Sequence, residues 1–374
     1  MELEFELKAL TIGMSMSISR LGATLAIVTI SCATVQPQHL VMEPIRIQVQ
    51  PDPLTGLTTF DAGDLLERGN ALFDAEDFER ASLFYEQLIT RFPDSSLLPT
   101  ARYNAALSAE RLEKLENALG HYKVIIEAFP KSTAAKDSHY RAGVILSKLK
   151  RWSDVEKTFW ALRQRGELSP MDEIEARVGL AIALFMQREY ATAEREFMSA
   201  LRFYDEHEQK QYLPAKYWIA QSRFYLGEIA ARMFESLELG SKQSKEELWK
   251  EELAEQLEEK CQLLLRAQSN FIRAIREGHT GWATASGFRI GSLYEALYDQ
   301  MLDVPVPPNI STELRDIYIA ELQKRVGVLV KKAIMVYERS LSMANRVGES
   351  NEWVERTQKA LDRMKELALS AARS

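Results

Sequence analysis

The first half of this sequence repeats itself with a fixed period of 37 residues. Three sets of positions recur at that spacing, and each set keeps one kind of side chain. The sets are Gly69, Ala106 and Gly143; Ala81, Ala118 and Val155; and Tyr85, Tyr122 and Phe159. A fixed period in this range indicates stacked supersecondary units, each of which buries its apolar face against its neighbours. The period therefore predicts an array of packed units and not one globular core.

Each unit has the pattern of two helices. Leu65 and Gly69 share one face of a first helix, Ala81 and Tyr85 share one face of a second, and Pro93 ends the second. A glycine lets two helices approach closely because it has no side chain. We therefore expect Gly69 to lie opposite Ala81, with Tyr85 filling the space beside them.

This order of small residues, aromatics and a closing proline resembles the tetratricopeptide repeat. The resemblance covers residues 61–200 as four repeats, the fourth following the third after 38 residues. It implies that helix packing is carried by these small and aromatic positions, which are Gly69, Ala81, Tyr85, Ala106, Ala118, Tyr122, Gly143, Phe159, Ala181, Ala193 and Phe197.

The second half keeps the pattern with longer spacings. Gly227 and Ala267 are 40 residues apart, and Gly291 and Ala333 are 42 apart, where the first repeat has 12. We interpret residues 201–349 as two enlarged repeats and residues 350–374 as an amphipathic helix that caps the stack. The predicted fold is an all-α, tetratricopeptide-like α-solenoid with two enlarged C-terminal repeats and a capping helix.

The amino-terminal residues 1–32 have the layout of an export signal. Arg20 precedes an apolar run over 21–31, and Cys32 follows it directly. The run is too short to span a bilayer as a helix. It resembles a bacterial lipoprotein signal, which implies lipid on Cys32, and Ala33 after it favours the outer membrane. The alternative is a buried amino-terminal helix with an incidental cysteine.

A proline-containing stretch separates this signal from the repeats. Residues 33–60 show no helical period, and proline keeps such a chain extended. We expect a tether that lifts the folded body off the membrane. Its prolines are Pro37, Pro44, Pro51 and Pro53.

The sequence offers little for catalysis or for nucleic acid. A net charge of −7 argues against a nucleic-acid partner. No nucleophile–base pair and no glycine-rich phosphate loop is present, and the histidines lack metal-ligand spacing. The two closest approaches to a site are residues 205–208, one histidine among three carboxylates, and His279 beside Trp282. We interpret both as structural, and we predict no catalytic residue, metal or cofactor.

Four residues are candidates for contact with a partner: Arg102, Tyr103, Trp218 and Arg223. Aromatic residues and arginine dominate binding hot spots. In the tetratricopeptide family, the first helices line a concave groove. The resemblance therefore implies protein partners bound along that groove.

Repeat ends such as 91–95 and 128–132 resemble those of envelope tetratricopeptide proteins, including the lipoprotein of the outer-membrane barrel-assembly machine. We expect a non-catalytic scaffold, lipid-anchored at the periplasmic face of the outer membrane, that binds envelope proteins during assembly of a barrel, secretin, pilus or motility machine. A soluble cytoplasmic adaptor of the same fold is one alternative. An enzyme with its site in residues 213–344 is another.

Overall fold

The structure is a computed structural model of the 374-residue chain. It describes residues 48–52, 56–166, 168–240, 249–304, 306 and 311–373. All of them belong to one unit, which runs from Ile45 to Ser374. The predicted signal and the lipidation site at Cys32 lie outside the described residues.

A β-hairpin precedes the helices. Strands β1 (Gln48–Asp52) and β2 (Gly56–Phe60) pair antiparallel, with Gln48 opposite Phe60 and Asp52 opposite Gly56. The predicted extended tether over 33–60 is therefore wrong for these ten residues. Proline argued for an unpaired chain, but Pro51 lies in a two-stranded sheet, where a proline without its N–H can face outward from an edge.

The hairpin ends on the first repeat. Phe60 is 7% exposed and its ring lies 6.4 Å from that of Phe92 in an edge-on contact. Asp61 then begins the first helix, where its side chain and that of Asp64 cap each other's backbone N–H groups. Such a capping box fixes the start of a helix.

The described residues then form thirteen helices in chain order. They are α1 (Ala62–Asp74), α2 (Phe78–Arg91), α3 (Leu98–Arg111), α4 (Leu115–Ala128), α5 (Thr133–Lys148), α6 (Trp152–Arg163), α7 (Pro170–Met186), α8 (Tyr190–Glu208), α9 (Lys216–Ser236), α10 (Trp249–Arg276), α11 (Thr280–Asp303), α12 (Thr312–Val347) and α13 (Glu352–Arg373). Each helix packs against the next one along the chain, from α1 to α13. The fold is the predicted α-solenoid.

The turn inside each of the first four helix pairs repeats as regularly as the packing positions do. Glu76, Glu113, Lys150 and Arg188 all adopt left-handed backbone conformations, with φ between 55° and 67°. A left-handed residue costs about 1–2 kcal/mol for a side chain other than glycine. The same turn therefore recurs because the helix packing on either side of it holds the geometry.

Small residues face aromatic rings inside each repeat. A Cβ added to Gly69 would lie 2.5 Å from the ring of Tyr85, and one added to Gly143 would lie 2.7 Å from the ring of Phe159. The alanines at the predicted packing positions are fully buried: Ala81, Ala106, Ala118, Ala181 and Ala193. Tyr122 and Phe197 are also fully buried.

Phe159 has a second small neighbour that the sequence pattern missed. A Cβ added to Gly179, on α7, would lie 2.5 Å from the same ring. Phe159 therefore fills the space between its own repeat and the following one. The 38-residue step had placed Ala181, two residues further on, in the column of small residues.

The enlarged repeats keep the contact between a small residue and an aromatic ring. Gly227 of α9 lies against the ring of Phe271 of α10, and Gly291 of α11 lies against the ring of Tyr337 of α12. The helix α13 packs against both α11 and α12, which is the place of a cap. The two enlarged C-terminal repeats and the capping helix are thus confirmed as parts of the fold.

The first helices of successive units also contact one another. Contacts join α1 to α3, α3 to α5, α5 to α7, α7 to α9 and α9 to α11. These six helices form a continuous layer, and we call its solvent-facing side the first-helix surface. In the part of the chain that the structure describes, no helix is both long enough and apolar enough to serve as a bilayer span.

Candidate partner-binding surface

The first two predicted contact residues lie side by side on α3 but face different neighbours. Arg102 is half-buried and faces α2, where its charge helps to lower the pKa of Glu86. Tyr103 packs its ring 5.7 Å from that of Tyr122, and its hydroxyl reaches Arg141 of α5. Only Tyr103 therefore belongs to the first-helix surface.

The other two predicted residues lie on α9. Trp218 is half-buried against the core, with its ring 4.7 Å from that of Tyr217. The guanidinium Nε of Arg223 lies 2.7 Å from a carboxylate oxygen of Glu277. Because α5 and α7 lie between α3 and α9 in the stack, the four predicted residues do not form one site.

Two asparagines that the sequence analysis did not single out join the first two repeats. The hydroxyl of Tyr85 and the side-chain Nδ2 of Asn104 both donate to Oδ1 of Asn70, each over 2.9 Å. Burial raises the pKa of Tyr85 to about 12, so its hydroxyl keeps the proton that it donates. The amide of Asn70 is thereby held in one orientation.

That orientation leaves hydrogen-bonding capacity facing outward. Nδ2 of Asn70 and Oδ1 of Asn104 have no hydrogen bond to any residue the structure describes. They offer one donor and one acceptor beside a cavity of about 280 Å³ that is also lined by Phe73 and Leu107. A main-chain peptide group carries the complementary acceptor and donor.

A charged contact continues the surface from α3 to α5. The carboxylate of Glu110 accepts a hydrogen bond of 2.5 Å from the hydroxyl of Tyr122 and lies 3.4 Å from the guanidinium of Arg141. Burial raises the pKa of Tyr122, and the hydrogen bond to Glu110 raises it further. The side chain of Arg141 remains 44% exposed, so it can also meet a ligand.

Further along, the first helices present apolar and acidic groups. Val144 of α5, Met186 of α7 and Met233 of α9 are all exposed. Burial raises the pKa of Glu175 on α7 to about 7, and the nearby charge of Asp172 adds to the effect. Exposed apolar side chains grouped on neighbouring helices are typical of protein-binding surfaces.

The candidate motifs for chemistry have structural roles. Nδ1 of His207 lies 2.8 Å from the carbonyl oxygen of Phe203 in the last turn of α8, where a solvated loop had been expected. His279 caps the start of α11 by accepting from the backbone N–H of Trp282. Within the described ranges, no three histidine, cysteine or carboxylate side chains converge as a metal site would require.

These observations define the class first: an α-solenoid of helix pairs with a polar and apolar binding surface along its first helices. The sequence model of the tetratricopeptide repeat matches residues 65–95 and 100–132, so the first two units are tetratricopeptide repeats. No curated protein matches the chain significantly.

Solved tetratricopeptide structures resemble the chain at low identity. YrrB, described as a TPR protein with an unusual peptide-binding site, is 18% identical, with 56% of this chain and 86% of that one covered and a TM-score of 0.37. MamA of Desulfovibrio magneticus RS-1 is 14% identical, with 56% and 96% covered and a TM-score of 0.36. A tetratricopeptide protein of Parabacteroides merdae is 13% identical, with 81% and 98% covered and a TM-score of 0.38. At these values the similarity carries no information about a ligand.

Proposed function

We propose that this protein is a non-catalytic scaffold that binds an extended segment of a protein partner along its first-helix surface. The observation that carries the proposal is the pair Asn70 and Asn104. Their amides come from two different repeats, are fixed by the hydrogen bond from Tyr85, and keep one donor and one acceptor free. An extended peptide presents alternating N–H and C=O groups along its edge, which such amides can satisfy.

Binding by the main chain sets position, and side chains then set specificity. The exposed guanidinium of Arg141 and the exposed apolar side chains of Val144 and Met186 follow Asn104 along the same surface. A segment that runs from α1 towards α9 would meet polar groups first and apolar groups later. This order favours a partner segment with polar and apolar halves.

Peptide selection tests the binding function. A phage-displayed library of random peptides is panned on the full chain, and the selected peptides are measured against Asn70→Ala/Asn104→Ala. We expect at least about a tenfold loss of affinity, since two hydrogen bonds are lost at about 0.5–1.5 kcal/mol each. Asn345→Ala, an exposed asparagine of α12, serves as the control and should leave affinity unchanged. Failure to select any peptide above background would rule out the function.

We place the scaffold in the cell envelope, anchored by lipid on Cys32. The support is the sequence itself: Arg20, the apolar run over 21–31 and the cysteine directly after it. Acyl chains on one cysteine give stable anchoring because each buried CH₂ contributes about 0.8 kcal/mol. Assembly of a barrel, secretin, pilus or motility machine is the role that this location favours.

Membrane fractionation and the mass of the amino terminus test the location. In the wild type we expect a lipid-modified Cys32 in the outer-membrane fraction, and in Cys32→Ala we expect that form to disappear. An unprocessed protein outside the membrane fraction in both cases would contradict the anchor and favour a cytoplasmic adaptor. The peptide-binding proposal would be unaffected, because it depends on residues of α1 and α3.

A further inference from the structure

Glu175 lies between two tyrosines that come from the helices on either side of it. The hydroxyl of Tyr140 on α5 donates to the main-chain oxygen of Asp172 over 2.7 Å, in the first turn of α7. Residues three apart on a helix share a face, so Glu175 lies beside Asp172. The ring of Tyr140 is therefore held next to the carboxylate of Glu175.

The second tyrosine approaches from α9. Tyr217 is 41% exposed, and its ring packs edge-on against Trp218 at 4.7 Å and against His279 at 5.1 Å. The charge of Glu175 contributes to raising the pKa of both Tyr217 and Tyr140, which locates the carboxylate near both hydroxyls. Three successive first helices thus converge on one carboxylate.

Glu175 has no counter-ion of its own. In the described part of the chain it makes neither a hydrogen bond nor an ion pair, although two other acidic residues of α7 do. Asp172 pairs with Lys136 at 3.0 Å, and Glu173 pairs with Arg177 at 2.7 Å. The nearby cations are therefore engaged, and Glu175 alone remains half-buried without a partner. A carboxylate in such a position is unfavourable until a positive charge reaches it.

We propose that Glu175, Tyr140 and Tyr217 form a recognition site for a lysine or arginine side chain of the bound partner segment. This inference rests on the proposed peptide-binding function and names the chemistry of one partner residue. The carboxylate supplies the opposite charge, and the two tyrosine rings offer faces on which a cation is attracted. The side-chain oxygen of Gln221, one helical turn after Tyr217 and buried without a hydrogen-bond partner among the described residues, is a further acceptor.

Apolar positions adjoin this site. Val144 follows Tyr140 by one helical turn on α5 and is 47% exposed. Met186 and Met233 are exposed on α7 and α9. A partner segment that places its basic residue on Glu175 therefore places aliphatic side chains over Val144 and the two methionines.

The panning described above also tests this inference. We expect the peptides selected on the full chain to be enriched in lysine or arginine at one position flanked by apolar residues. Panning on Glu175→Gln should lose that basic enrichment, and individual wild-type peptides should bind this variant about tenfold more weakly. Glu206→Gln, which removes an exposed carboxylate from α8, is the matched control and should retain both properties.

Charge reversal gives the sharper test. A selected peptide whose basic residue is replaced by glutamate should not bind the wild type but should bind Glu175→Lys. Circular dichroism and the melting temperature of each variant show that it is folded, since Gln and Glu have the same shape. Rescue by the paired reversal would require direct contact between the two positions.

The outcomes separate this inference from the function beneath it. Peptides that lose affinity for Asn70→Ala/Asn104→Ala but carry no basic residue, or that bind Glu175→Gln unchanged, overturn the cation site and leave the scaffold function standing. Absence of any selected peptide overturns both.

Discussion

The carboxylate of Glu295 accepts a hydrogen bond of 2.5 Å from the hydroxyl of Tyr337, across α11 and α12. Glu295 follows Gly291 by four residues and is only 4% exposed. The guanidinium of Arg363, on α13, pairs with the same carboxylate. One buried carboxylate therefore joins three helices at the end of the stack.

The second repeat contains the same arrangement. Glu110 follows Ala106 by four residues, accepts from Tyr122, and pairs with Arg141 from the first helix of the next unit. By this correspondence, α13 supplies its arginine from the place that a following first helix would occupy. The capping helix thus completes the last enlarged repeat as another repeat would.

Loss of Arg363 should weaken the cap. In Arg363→Met we expect the free energy of unfolding to fall by about 1 kcal/mol, because Glu295 remains buried with less compensation. The figure is modest because the arginine side chain itself is 67% exposed. Chemical denaturation measures the change. Lys359→Met, at an exposed position of α13, is the control, and an equal loss there would contradict the role of the pair.

Two glycines should respond to alanine with opposite signs. At Gly69 a Cβ would lie 2.5 Å from the ring of Tyr85, and overpacking of this kind costs about 1–3 kcal/mol. At Gly120, inside α4, a Cβ meets nothing within 4 Å. Gly120→Ala should therefore stabilise the protein by about 0.5–1 kcal/mol through helix propensity. Melting temperatures that move in the same direction would contradict the helix contact at Gly69.

The stability of the protein should depend on the titration of Glu175. Its pKa in the folded protein is about 7, above the ordinary value of 4.5, so the folded state binds the proton more tightly. This contribution to stability is fully present below pH 4.5 and is lost as the pH rises through 7. Glu175→Gln should therefore be more stable than the wild type at pH 8, by about 1 kcal/mol after allowance for solvent screening.

The comparison of the two proteins across pH is the measurement. Thermal unfolding at pH 4.5 should show no difference, since a protonated glutamate resembles glutamine. The groups that face Glu175 are Tyr140 from α5, Tyr217 from α9 and the Lys136–Asp172 pair. The tyrosines keep their protons throughout, because burial raises the pKa of each. A constant difference across the range would assign the effect to packing and not to charge.

Lys260 should give the opposite kind of pH dependence. It is fully buried, and its Nζ donates to the carbonyl oxygens of Phe234 and Leu237 at the end of α9. Burial lowers its pKa from 10.5 to about 8, so the folded state binds the proton less tightly. Its contribution is fully present above pH 10.5 and is lost as the pH falls through 8.

Unfolding experiments between pH 7 and pH 10 test this prediction. The stability of the wild type relative to Lys260→Met should rise with pH over that range. Lys331→Met, at an exposed site of α12, is the control and should show no slope. A flat difference for Lys260→Met would mean that the ammonium is not desolvated in the folded state.

The helical repeat was predictable from sequence because its contacts are local. Tyr85 follows Gly69 by 16 residues, and the same interval separates Ala106 from Tyr122. A contact made within one helix pair must recur whenever the pair recurs, so a periodic sequence reports it directly. The same reasoning extended to Gly227 and Phe271, although an insertion separates their helices.

The partner-binding residues were not predictable in this way. Arg102 and Tyr103 are adjacent in sequence, yet Arg102 faces α2 and Tyr103 faces α5. Asn70 and Asn104 gain their roles from each other across two repeats. A signal for Asn104 did exist, because it precedes Ala106 by two residues just as Arg141 precedes Gly143. No periodic signal marks Glu175.

The sequence by itself determined the repeat, the helix pairs and the side chains between them, because these depend on neighbours within one unit. Only the tertiary structure decided which polar groups are left without partners. Lys260 ends a run of alternating charges that predicted an exposed helix, yet it is fully buried under the end of α9. Glu175 is unpaired only because Lys136 and Arg177 bind other carboxylates. Burial and pairing depend on which helices stack together, and that is a property of the assembled solenoid.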